Sequence, residues 1–62
     1  MRREFEVLLH KLEYEQHQLL VSVAVKGILP SKGTLEKIAQ LELNIAAIEN
    51  MIDRLEQKSQ RN

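Results

Sequence analysis

Apolar residues recur along the second half of the chain at Ile38, Leu41, Ile45, Ile48, Ile52 and Leu55, alternately three and four residues apart. That spacing predicts an amphipathic helix with a heptad seam, with Ile at every a position and Leu, Ile and Leu at d. Beside the seam, the e positions are Glu42, Glu49 and Glu56, and the g positions are Lys37, Asn44, Met51 and Lys58. A helix patterned in this way lies along another helix.

The first half supplies one. Phe5, Leu8, Leu9, Leu12, Leu19, Leu20 and Val23 fall at helical spacing over residues 3–26, with no Pro or Gly before Gly27. The stripe is interrupted only by Glu15-Gln16-His17-Gln18, where Gln16 stands in place of an apolar seam residue. The run Leu19-Leu20-Val21-Ser22-Val23-Ala24-Val25 alternates enough to pass for a strand, but an isolated strand has nothing to pair with, and the helical period runs on into it.

Between the two periodic segments lies Gly-Ile-Leu-Pro-Ser-Lys-Gly-Thr, residues 27–34. Gly27 suits the left-handed position that closes a helix. Pro30 stops a helix from continuing and disfavours helical geometry at Leu29. Thr34 is expected as the N-cap of a second helix over 35–58, with Glu36 favourably placed against the helix dipole and residues 59–62 fraying. Each helix is then about 24 residues, or roughly 36 Å long. The expected fold is all-α: one domain over 1–62, an antiparallel two-helix hairpin. Folding about residue 30 would pair Leu19 with Leu41, Leu12 with Ile48 and Phe5 with Leu55. It would also bring Gln16 near Asn44, as a polar pair that fixes register.

A second apolar stripe needs a separate explanation. Helix 1 carries Val7, Tyr14, Val21 and Val25 away from the seam, and helix 2 carries Leu35, Ala39, Leu43 and Ala46. Exposed apolar stripes mark interaction surfaces. These eight residues are the expected interface, with a second copy or with another helical protein. A homodimeric four-helix bundle is the simplest assembly. A parallel coiled coil through the second helix is the competing arrangement.

Composition narrows the chemistry. With 62 residues the chain is at the size where one core is marginal without oligomerisation. It has no Cys, hence no disulfide framework and no thiolate metal site. Nine basic and nine acidic residues balance, which argues against a partner held chiefly by charge. No apolar run approaches a bilayer span, and the amphipathic, acidic segment after Arg2-Arg3 is unlike a signal peptide. The expected setting is the cytoplasm, with no membrane partner.

No enzyme is expected. The hydroxyl residues lack a Gly-rich elbow, the two glycines form no phosphate loop, and a hairpin offers little concave volume. Glu6, His10, Glu13 and His17 share one face of helix 1, but the order His-x-x-Glu is the reverse of the bundle-type metal motif. Cross-helix pairs of His10 with Glu49 and His17 with Glu42 explain the face without a metal or cofactor. The rival function is an RNA- or DNA-binding dimeric hairpin regulator. Its cations would be dispersed, with Lys26 and Lys32 beside the loop and Arg2, Arg3, Lys58 and Arg61 at the opposite end, and no aromatic platform accompanies them.

The Lys26-Gly27…Pro30 turn and the Ala46-Ala47-Ile48-Glu49…Ile52 stretch resemble the small helical-hairpin cochaperones of type III secretion systems, over most of the chain. That resemblance implies a hairpin that joins a helical-repeat chaperone to shield an aggregation-prone needle subunit. The second helix here is a more regular heptad than that family's pattern. The function expected is therefore protein–protein interaction through helix packing, as an adaptor, cochaperone or regulatory partner.

Overall fold

The computed structural model describes residues 1–60, and the side chains of residues 1–57. Two helices pack against each other as a hairpin, α1 over Arg2–Lys26 and α2 over Lys32–Gln60, and the described residues contain no strand. The segment 19–25 is helical throughout.

Gly27 closes α1 with φ 65°, and its N–H donates to the Val23 carbonyl at 3.2 Å. Only at Gly27 is φ positive among the described residues, and a side chain there would be strained. The cap of α2 differs from the expected one. Ser31, not Thr34, is the N-cap: its Oγ accepts the Thr34 N–H at 3.2 Å, and its carbonyl accepts the Leu35 N–H at 3.0 Å. Thr34 sits three residues in, its hydroxyl 3.0 Å from that of Ser31. Gly33 reads in sequence as a breaker, yet it is accommodated in the first turn. The helix therefore begins at Lys32 rather than Leu35, and the loop is 27–31 rather than 27–34. Glu36 consequently falls beyond the first turn, which carries no acidic residue. At the other end α2 continues through Gln60, so 59 and 60 are helical and not a frayed tail. Residues 61 and 62 lie outside the described residues.

The earlier start of α2 moves the register. Arg2 donates to Glu56, and Gln16 Nε2 donates to Glu42 Oε2 at 3.2 Å. The residue numbers add to 58 in both pairs, so the hairpin folds about residue 29, the middle of the loop, and not about residue 30. Going two heptads along α1 goes two heptads back along α2, the repeat of a left-handed coiled coil. Each α1 seam residue falls between two of α2: Leu12 between Ile45 and Ile48, Leu19 between Ile38 and Leu41, Phe5 between Ile52 and Leu55.

The least exposed positions of α1 are Phe5, Glu6, Leu9, Leu12, Gln16, Leu19 and Val23, and all but Glu6 are spaced four and three residues apart. In α2 they include Thr34, Ile38, Leu41, Ile45, Ile48, Ile52 and Leu55. Among the described residues only Leu41 and Ile45 are buried outright. The hairpin measures 51 × 16 × 13 Å, one helix layer thick, so its seam is open along both flanks. Leu8 and Leu20, which helical spacing puts in the stripe, are 42% and 47% exposed because they sit beside the seam on opposite flanks.

Candidate functional site

Extending the heptad numbering through α1 puts Arg2, Leu9, Gln16 and Val23 at a positions and Phe5, Leu12 and Leu19 at d. In an antiparallel pair the e positions of both helices share one flank, and the g positions share the other.

The first flank is acidic and bridged. It carries Glu6 and Glu13 from α1 and Glu42, Glu49 and Glu56 from α2, with Asp53 on the next row out: six of the nine acidic residues. Arg2 lies across it, with Nε 3.6 Å from Glu6 and its guanidinium on Glu56. Gln16 crosses to Glu42 one heptad pair further along. These two side chains occupy a positions where an apolar residue would have ended in the seam, so they roof the seam with polar groups. The partner of Gln16 is Glu42 and not Asn44, because the register is shifted and Asn44 lies on the other flank.

The second flank is open. Leu12 and Leu41 form the floor of a groove of about 410 Å³, walled by Lys11, Glu15, Lys37, Gln40 and Asn44. One ion pair crosses it, Lys37 Nζ to Glu15 Oε1 at 3.8 Å. Leu8 and Met51, both g residues, continue its apolar strip toward the termini and are part-exposed. Its carboxylates are Glu4 and Glu15, against the cations Lys11, Lys37 and Arg54 and the N-terminal ammonium, with Lys58 a further g position in the sequence. The Glu4 carboxyl is held below the ordinary carboxylate range, first by the backbone N–H at its own position and then by the N-terminal ammonium 3.1 Å away.

All eight residues of the expected second stripe are exposed, and they do not form one surface. Val7, Tyr14 and Val21 are f residues, on the edge of α1 that faces away from α2. Leu43 is an f residue of α2 and lies on the opposite edge of the hairpin. Leu35, Ala39 and Ala46 belong to the acidic flank, and Val25 to the open one. Two stripes that each oppose the seam point in opposite directions once the seams meet, which is why similar stripes in sequence do not become one face in space. The groove, with Leu8 and Met51, escaped the sequence reading. The uncharged g positions Asn44 and Met51 were its only signal. At the loop, Ile28 and Leu29 are the remaining exposed apolar pair, at 71% and 92%.

His10 pairs with Glu13 of its own helix at 3.8 Å and not with Glu49, and Glu42 takes its hydrogen bond from Gln16 and not from His17. Both histidines are b residues, one row too far from the seam to reach α2. Among the described residues no three His, Asp or Glu side chains converge in a way that could hold a metal ion. Among the described residues no helix is long and apolar enough to cross a membrane. Comparison of the chain with protein-family models, curated proteins and solved structures finds no match.

Proposed function

We propose that this chain is a small protein–protein interaction module that acts by packing its helices against another helical surface. It serves as an adaptor, cochaperone or regulatory partner in the cytoplasm, and it is not an enzyme. One observation carries the reading. Among the described residues the hairpin keeps only Leu41 and Ile45 buried, while Val7, Leu8, Tyr14, Leu20, Val21, Leu35 and Leu43 stay more than 40% exposed. A core of two residues is far below what a chain of this length needs to fold alone. The missing burial has to come from a partner, and a second copy in a four-helix bundle is the most economical one.

The test is solution mass by light scattering over a hundredfold concentration range, with helicity followed by circular dichroism. A helical oligomer, or a poorly helical monomer that gains helix only on binding another protein, supports the proposal. A fully helical monomer at every concentration refutes it, because such a chain needs no packing partner.

A further inference from the structure

We infer that the open flank, and not the acidic flank or either outer edge, is an isologous contact between two copies of this chain. The inference rests on the reading above and names both the occupant and the surface.

Area argues for a second copy. A folded monomer of 7.2 kDa exposes roughly 4,100 Å² by the usual scaling, whereas this hairpin exposes 5243 Å². The excess, about 1,100 Å², is somewhat more than the roughly 800 Å² that each partner contributes to an interface of standard size. One flank of a hairpin 51 Å long can supply it.

Charge and shape choose the flank. In an isologous contact each charge meets its own kind across the two-fold axis. Placing the acidic flank against itself would gather twelve carboxylates around six cations, Arg2, Arg3 and Lys32 of each copy, and like-charge juxtaposition at an interface costs several kcal/mol. The acidic flank is also already roofed by Arg2–Glu56 and Gln16–Glu42. The open flank carries two carboxylates instead of six and one cross-helix bridge, Lys37–Glu15, instead of two. Its carboxylates are few, its g positions include the uncharged Leu8, Ser22, Asn44 and Met51, and its groove leaves Leu12 part-exposed beside the buried Leu41. A second hairpin laid there closes the seam from the side that a single ion pair, Lys37–Glu15, spans and yields a four-helix bundle. The acidic flanks, with Leu20 and Leu35, then form the outer faces, Val7, Tyr14, Val21 and Leu43 stay on the outer edges, and the contact covers Leu8 and Met51.

The experiment is sedimentation equilibrium of the full chain over a hundredfold concentration range, repeated on two double variants. Gln40→Glu with Asn44→Glu puts four carboxylates into the proposed contact at exposed positions of good helix geometry. The expected result is about a hundredfold weaker self-association. Ala39→Glu with Ala46→Glu adds the same charge to the acidic flank and should leave self-association within a few-fold of the original. Because a weakened dimer can also lose helix, a second measurement uses the otherwise unaltered sequence. A nitroxide on Asn44→Cys should show strong dipolar broadening between copies, and one on Leu43→Cys, at the outer edge, should not. Equal weakening by both double variants, or broadening at residue 43 and not 44, overturns the choice of flank. A poorly helical monomer at all concentrations overturns the second copy as occupant and leaves a foreign partner standing. A fully helical monomer overturns both this inference and the proposed function.

Discussion

Gln16 reaches across the hairpin to Glu42, Nε2 to Oε2 at 3.2 Å, two heptads from the matching bridge of Arg2 to Glu56. It does so from a seam position between Leu12 and Leu19, where an apolar side chain would have packed inward. A loop of five residues already sets the register, so this bond is not needed to fix it. Its effect is to keep one flank polar and bridged.

Replacing Gln16 by Leu should therefore stabilise the hairpin, by about 1 kcal/mol from added apolar burial, without moving the register. Thermal unfolding followed by circular dichroism would show a higher Tm. Glu42 is exposed and loses its donor to water at little cost. A lower Tm would mean that the cross-helix bond outweighs the burial.

Ile45→Asp and Leu43→Asp should part company. Ile45 is one of two buried residues, and a carboxylate there costs more than about 3 kcal/mol, enough to abolish helicity in so small a core. Leu43 lies on the outer edge of α2 and is 66% exposed. Its replacement should change helicity little and, with the open flank as the contact, should leave self-association intact. Far-UV circular dichroism and light scattering read the two outcomes.

The two glycines should respond with opposite signs to the same change. Gly27→Ala places a side chain at φ 65° and should cost about 1 kcal/mol, a purely conformational penalty because no atom lies within 4 Å of the added carbon. Gly33 has the same open surroundings without the positive φ, and it lies inside α2. Gly33→Ala should stabilise by a few tenths to about 1 kcal/mol. Urea unfolding midpoints of the two variants would fall on either side of the original.

Ser31→Ala removes the side-chain acceptor for the Thr34 N–H and should cost about 1 kcal/mol, felt first in the opening turn of α2. Amide hydrogen exchange should quicken from Lys32 to Leu35 and stay unchanged around Leu41. Thr34→Ala leaves the cap acceptor in place and should cost less.

Much of the fold is legible in residue spacing. The six seam residues of α2 follow from their three-and-four alternation, and the turn follows from Gly27 and Pro30, because periodicity and backbone restriction are local properties. The start of α2 was less legible. Both Ser31 and Thr34 are competent caps, and Gly33 between them reads as a breaker, so local chemistry favours the later start. In the fold, the Ser31 carbonyl and hydroxyl satisfy two N–H groups at once and the helix gains a turn. That one turn moves the centre of the hairpin from residue 30 to residue 29. It also exchanges Asn44 for Glu42 as the partner of Gln16 and leaves both histidines short of the opposite helix.

The sequence by itself determined that there are two amphipathic helices, that the first ends at Gly27, and which residues of α2 line the seam. Only the tertiary structure decided which side chains share a surface. Heptad rows are fixed within a helix by its pitch, but the direction in which a row faces depends on how the second helix is laid against the first. Val7, Tyr14 and Val21 look like the counterpart of Leu43 in sequence and stand on opposite edges in space. Lys11 and Glu15 of α1 lie far along the chain from Lys37, Gln40 and Asn44 of α2, and together they wall a single groove.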